Sequence, residues 1–276
     1  MQKIKGTALV WFRNDLRITD HYSLLNASKD YENVVAYFCF DVNQFKENQW
    51  GFKKTSSYRT QFLIESVLQV QKELEEKNIT LIIEKQDPVI GISEYAESQK
   101  IDAIYFQKEW TEEEINIENN LRKKLSSHIA FRSYYDQFLF HPEDIPMNLE
   151  QLSEVFTRFR KECEKNSIIR ACYPSIKKFD LSNRLKKSFR CPTLEDMGYL
   201  EIQAHPNTAF PFKGGSDAAK NRISHYFWKS KKLSYYKNTR NRLLGIDYSS
   251  KLSAWLANGS ISAREIYWEV QKYETE

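Results

Sequence analysis

Five short apolar runs divide the first 140 residues: "TALVWF", "NVVAYFCF", "ITLIIE", "IDAIYFQ" and "IAFRSYY". The second, "NVVAYFCF", is continuously apolar rather than alternating, and rich in β-branched and aromatic residues, as a strand covered on both faces is. Helical signals fill the gaps. "DHYSLLNASKDY" follows the first run, with Asp20 placed to cap it. Leu63, Val67, Val70 and Leu74 recur at spacings of four, three and four, and Pro88 to Gln99 is a further helix. In "TEEEINIENNLRKKL", Thr111 and Glu114 form a capping box, and Arg122, Lys123 and Lys124 sit at the basic end. Strands alternating with helices predict an α/β fold, a doubly wound, mostly parallel five-stranded sheet over residues 1–140. Ligands of such sheets bind beyond the carboxyl ends of the strands, where Arg13 to Asp20, Asp41 and Lys108-Glu109 lie.

The alternation stops at "HPEDIP", where Pro142 and Pro146 mark a linker over residues 141–150. Residues 151–276 read as a second, mainly α-helical domain. Leu152, Val155, Phe156, Phe159 and Cys163 form a helical stripe there. Helical patterns resume in "GGSDAAKNRISHYFW" and in "SAREIYWEVQKY", which Ser262 can cap.

Charge is segregated along this chain of net charge +4. From Pro211 to Lys251 there are ten Lys/Arg against two acids, Asp217 and Asp247, and the remainder is net acidic. Such a stretch is either a polyanion-binding face or a solvated basic surface. No apolar run approaches the roughly 20 residues of a membrane helix, and the N-terminus lacks a secretory pattern. The expected setting is cytoplasmic. Cys39, Cys163, Cys172 and Cys191 show neither C-x-x-C pairing nor zinc spacing, so no metal site is expected. With eight glycines and neither G-x-G-x-x-G nor G-x-x-x-x-G-K-[ST], a glycine-rich phosphate loop is excluded. None of the five histidines sits in a recognisable nucleophile arrangement.

The densest group of polar chemistry is "KKLSYYKNTRNRLLGIDYSSKLSAWLANGSIS". Tyr235 and Tyr236 lie beside Lys237, Arg240 and Arg242. Cations interleaved with aromatics suit single-stranded nucleic acid, in which phosphates meet charge and bases stack. Ser249, Ser250, Lys251, Leu252 and Ser253 then lead into a short helix. Hydroxyls, backbone amides and one lysine suit a diphosphate; the same residues also serve as a helix-capping turn. Glu109, after the fourth strand, is either a hydrogen-bond acceptor for a heterocycle or a solvated acid.

Several blocks together resemble the photolyase/cryptochrome family. "VWFRNDLRITD" is similar to the family's opening. "YRTQFLIESV", "FHPEDIP", "EVFTRFRKECE", "YFW", "YKNTRN" and "DYSSKLSAWLANGSIS" resemble its cryptochrome-DASH branch in order and spacing. The resemblance runs from about Ala8 to the end. It implies an antenna-binding α/β domain, a linker and a helical domain that holds FAD. It places Tyr236, Ser249, Ser250, Lys251, Leu252 and Ser253 at the flavin diphosphate, and Glu109 at a 5,10-methenyltetrahydrofolate antenna. Arg240, with Lys237, falls on the DNA-facing side. The implied reaction is light-driven repair of cyclobutane pyrimidine dimers, preferentially in single-stranded DNA, by a monomer using excited reduced FAD.

Two blocks depart from the branch. Gly214-Gly215-Ser216-Asp217 replaces Gly-Gly-Glu-Thr, and Thr19-Asp20-His21 stands where His-Asp-Asn is usual. No residue matches the family helices that complete the flavin cavity, dimer pocket and tryptophan relay. The helical domain is therefore expected to be incomplete, and catalytic residues stay unassigned. A light-sensing, DNA-binding cryptochrome without repair is the alternative; a plain nucleotide-binding module is a third. The charges of "FRNDLR" are expected to pair with each other and with neighbouring loops.

Overall fold

A computed structural model describes residues 3–148, 150 and 152–276. Strands β1 (Ile4–Phe12), β2 (Tyr31–Asp41), β3 (Leu81–Gln86), β4 (Ala103–Gln107) and β5 (Ala130–Tyr134) form one sheet in the order β3-β2-β1-β4-β5. Every pairing is parallel, with Val10 of β1 between Ala36 of β2 and Tyr105 of β4. Helices α1 (Tyr22–Asp30), α2 (Ser57–Glu76), α3 (Pro88–Ser98) and α4 (Glu112–Lys124) make the crossovers.

The apolar runs of the central strands are covered on both faces. Ala8, Val10 and Phe12 pack into one core with Leu24, Val67, Val70 and Leu74, while Leu9 and Trp11 pack into another with Ile92, Ala96 and Leu121. Successive strand residues point to opposite faces, so a sheet with two cores has no polar side. The strand order reverses beside β1, and the crevice between the carboxyl ends of β1 and β4 is the topological switch point.

The helices that follow are α5 (Phe156–Asn166), α6 (Ser216–Ile223), α7 (Tyr236–Thr239), α8 (Ser253–Ala257) and α9 (Ala263–Thr275). A π-helical turn, Ser224–Lys229, continues α6. Ile223, Phe227, Leu252, Trp255 and Ile261 form a third core among these elements. Between α5 and α6 the chain is irregular and returns to the sheet. Asn183 exchanges hydrogen bonds with the backbone of Val34, and Ile176 and Met197 enter the first core.

Three local expectations are corrected. His21, not Asp20, caps α1: its Nδ1 accepts from the Leu24 amide. Asp20 takes a left-handed backbone, φ 47°, and its carboxylate is engaged elsewhere. The stripe from Leu152 does not form a buried face, because α5 starts only at Phe156. Phe156 is 71% exposed, and Cys163 alone of the five is buried. Glu109 is no solvated acid, being 7% exposed. By contrast, Ser262 and Glu265 form the capping box of α9, as the sequence predicts.

Candidate functional site

At the switch point the chain fills its own crevice. Glu109 accepts from the Asn14 amide at 2.9 Å and from Asn14 Nδ2 at 3.0 Å, and the Arg13 guanidinium lies 3.7 Å away. Burial raises the Glu109 pKa, and Arg13 and the Asn14 amide offset this only in part. Asp15 behaves in the opposite sense. Burial alone would raise its pKa, but His21 Nε2 at 3.0 Å and the Arg13 amide at 2.6 Å hold it below the usual carboxylate value.

Deeper in the crevice, Arg17 donates to the Asp20 and Gly259 carbonyls and lies 3.5 Å from Asp136. Arg264, from the first turn of α9, donates to both oxygens of Asp20 (2.9 and 2.8 Å) and to Asp136 (2.5 Å). Asp20 also accepts from Ser262 Oγ and the Tyr173 amide. Two acids and two arginines thus neutralise each other out of water. The charges do pair with their neighbours, and they also reach α9, 244 residues away in sequence. The turn before α9 closes the crevice: Leu16 N–H donates to the Asn258 carbonyl, and a Cβ on Gly259 would lie 2.1 Å from the Asn14 carbonyl oxygen.

The hydroxyl-rich turn lies at the other end of α8. Its frame is Arg222 of α6, whose side chain is 1% exposed. Nε donates to the Ser250 carbonyl (2.9 Å), Nη2 to the Ser249 and Ile246 carbonyls (2.9 and 3.0 Å), and Nη1 to Asp247 (2.7 Å). Lys251 has a left-handed backbone, φ 63°, with Nζ over the Tyr248 ring. Leu252 and Trp255 are buried and anchor α8. Among the described residues, the hydroxyls of Ser249, Ser250 and Ser253 make no hydrogen bond to protein, and Lys251 makes no ion pair. By its chemistry this donor set, three hydroxyls and an ammonium now seated on the Tyr248 ring, is of the kind a diphosphate takes.

Tyr236, Lys237 and Arg240 lie on and just after α7, all exposed, with the Arg240 guanidinium 6.0 Å from the Tyr236 ring. Tyr235 and Arg242 are exposed beside them. The Gly214-Gly215 pair seats α6 on α2: a Cβ on Gly214 would meet the Phe62 carbonyl at 2.1 Å. Asp217 accepts from Gln69 Nε2 at 2.8 Å, so the acid of this divergent block faces α2. Among the described residues, no cluster of three or more His, Cys, Asp or Glu could hold a metal ion, and no helix is long and apolar enough to cross a membrane.

Residues 8–177 match the family model for DNA photolyase. The chain belongs to the DNA photolyase family. It is 38% identical to cryptochrome DASH of Gloeobacter violaceus, over 98% of this chain and 54% of that protein. Identity to cryptochrome DASH of a Synechocystis species is also 38%, over 100% and 56% of the two lengths. The crystal structure of the Synechocystis cryptochrome superposes with a TM-score of 0.92 at 37% identity, covering all of this chain and 57% of that one. An archaeal photolyase from Sulfolobus tokodaii, solved with two FAD molecules, gives 0.73 at 25% identity and covers 96% and 55%. The chain spans about half the length of the relatives it matches.

In this photolyase-family chain, sequence reasoning missed Asn14, Asp136, Arg222 and Arg264. One of them carried a signal. Arg264 sits in the first turn of α9, where the helix dipole disfavours a cation, so a paired acid from elsewhere was implied. Arg222 sits in the last turn of α6, where a cation is ordinary, and nothing marked it out.

Proposed function

We propose that this chain contributes to a cryptochrome-DASH-type photolyase: an antenna-binding α/β unit (1–140), a linker (141–150) and the first part of an FAD-binding helical domain (151–276). The observation that carries the reading is the turn from Ser249 to Ser253, whose carbonyls are held by Arg222 while its hydroxyls and Lys251 keep their donor capacity. Tyr236, Ser249, Ser250, Lys251, Leu252 and Ser253 would hold the FAD diphosphate. The Lys251 ammonium would balance its charge and the hydroxyls would donate to its oxygens. The two FAD molecules of the archaeal photolyase support FAD as the ligand.

When bound and reduced, FAD would supply the light-excited electron that splits a cyclobutane pyrimidine dimer and would take it back once the two bonds have opened, so the repair is redox-neutral. The exposed Lys237 and Arg240 would meet DNA phosphates, and the exposed rings of Tyr235 and Tyr236 offer stacking surfaces. A dimer must leave the base stack to react, and a single strand makes that exit least costly, which supports single-stranded DNA as the preferred partner. Glu109 would orient 5,10-methenyltetrahydrofolate. Its carboxylate is held by three contacts with Asn14 and by the Arg13 guanidinium 3.7 Å from Oε2, so it is fixed in place at the switch point. Four free thiols suit a reducing, cytoplasmic setting, and we assign a monomer.

The test is spectroscopic and catalytic. Protein purified at the length of its relatives should carry flavin absorbance bands and remove dimers from single-stranded DNA only under light. Absence of both contradicts the proposal. Bound flavin without repair favours a light-sensing cryptochrome instead.

A further inference from the structure

We infer that Arg222 is the positioning residue of the diphosphate turn, with Asp247 fixing the angle of its guanidinium; the inference rests on the FAD reading above. A guanidinium is normally buried against carboxylates. Here three of its hydrogen bonds go to neutral carbonyls of a single turn, those of Ile246, Ser249 and Ser250, and only one goes to an acid. Such an arrangement shapes backbone more than it balances charge. Carbonyl oxygens facing a diphosphate would repel it. Arg222 draws them away, so that the turn presents donors instead.

Two further features point the same way. Lys251 holds a left-handed backbone that disfavours any residue with a Cβ, and glycine would occupy it without strain. Lys100 and Lys231 hold the same conformation, so what it does at Lys251 is fix the backbone between the pinned Ser250 carbonyl and the buried Leu252. The second feature is the support behind Arg222. Its guanidinium packs between the rings of Phe212 and Tyr226, each 4.9 Å away, and Asp247 is itself braced by His225 Nε2 at 3.2 Å.

The experiment uses flavin-free protein purified at the length of its relatives and compares the unsubstituted sequence with Arg222→Gln, Arg222→Lys, Asp247→Asn, Lys251→Gly and Lys251→Glu. Three readouts are taken: calorimetric titration with FAD and with ADP, thermal melting, and the rate of trypsin cleavage after Lys251. A turn released from its frame must be reordered when ligand binds, and about 1.4 kcal/mol spent on that ordering weakens binding about tenfold. Arg222→Gln, Arg222→Lys and Asp247→Asn should therefore bind FAD at least about tenfold more weakly and be cut faster after Lys251. Lys251→Gly should melt no lower than the parent and still lose binding. FAD affinity within about twofold of the parent in Arg222→Gln overturns the inference, whatever happens to trypsin cleavage. Should Arg222→Gln not fold, Arg222→Lys and Asp247→Asn decide by the same criterion. The diphosphate reading itself fails if the parent binds neither ligand, or if Lys251→Glu binds as the parent does.

Discussion

Asp20, in a left-handed loop after the first strand, grips Arg264 of the last helix through both carboxylate oxygens, at 2.9 and 2.8 Å. Both side chains are buried. This pair joins the α/β sheet to the helices that carry the hydroxyl-rich turn, and beside it Asn14, Leu16 and Arg17 of "FRNDLR" meet Asn258 and Gly259. The motif is a socket for the segment from Asn258 to Arg264, and that segment continues directly from α8. The geometry of the turn is thereby tied to the carboxyl end of β1.

Asp20→Asn should cost about 3–5 kcal/mol of stability, because it leaves two buried arginines, Arg17 and Arg264, sharing the single carboxylate of Asp136. Urea denaturation of the purified chain measures it. A loss below about 1 kcal/mol would mean that Asp136 alone satisfies Arg264.

Gly259→Ala should destabilise by about 2 kcal/mol or more. The added methyl meets the Asn14 carbonyl oxygen, and the backbone, at φ 70°, disfavours alanine as well. A thermal melt unchanged from the parent would show that the β1 loop can move away from this turn, contrary to a socket.

Asp15 and Glu109 should shape the pH profile in opposite directions. The folded pKa of Asp15 lies below its ordinary 3.8, so its stabilisation is present above that value and disappears as pH falls through the folded pKa. Asp15→Asn should flatten the acid limb of a stability–pH curve. The folded pKa of Glu109 lies above its ordinary 4.5, so its favourable contribution is complete below 4.5 and lost as pH rises through the folded pKa. Glu109→Gln should remove that loss and make the chain relatively more stable at neutral pH. Parallel curves for parent and variants would contradict both assignments.

Much of the fold was legible because the central strands are apolar on both faces, a signal written within each run. Positions 20, 109 and 222 were misread or missed for one shared reason: their partners lie far away in sequence. Asp20 has the chemistry of an N-cap, yet Arg264 claims its carboxylate, and the ring nitrogen of His21 caps α1 instead. Glu109 reads as a surface acid until Asn14 is folded against it. The stripe through Phe156 was legible as a pattern, but no described element covers it. The turn from Ser249 to Ser253 showed its composition in the sequence. The arginine that shapes it showed nothing.

Arg240→Ala and Lys237→Ala should each weaken single-stranded DNA binding and lower the salt slope of log K by about 0.7 per phosphate contact removed. Flavin retention should not change, because neither side chain is part of the turn's frame. Loss of flavin without any change in salt slope would place these residues at the cofactor rather than at DNA.

The central claim is that the turn around Lys251 binds a diphosphate, and Lys251→Glu tests it most directly. Calorimetric titration of FAD into flavin-free parent and variant, both at the length of their relatives, should give binding by the parent and none by the variant, since attraction is replaced by repulsion at one point. Equal binding by both proteins, with folding intact, would reduce the turn to a helix cap and contradict the account.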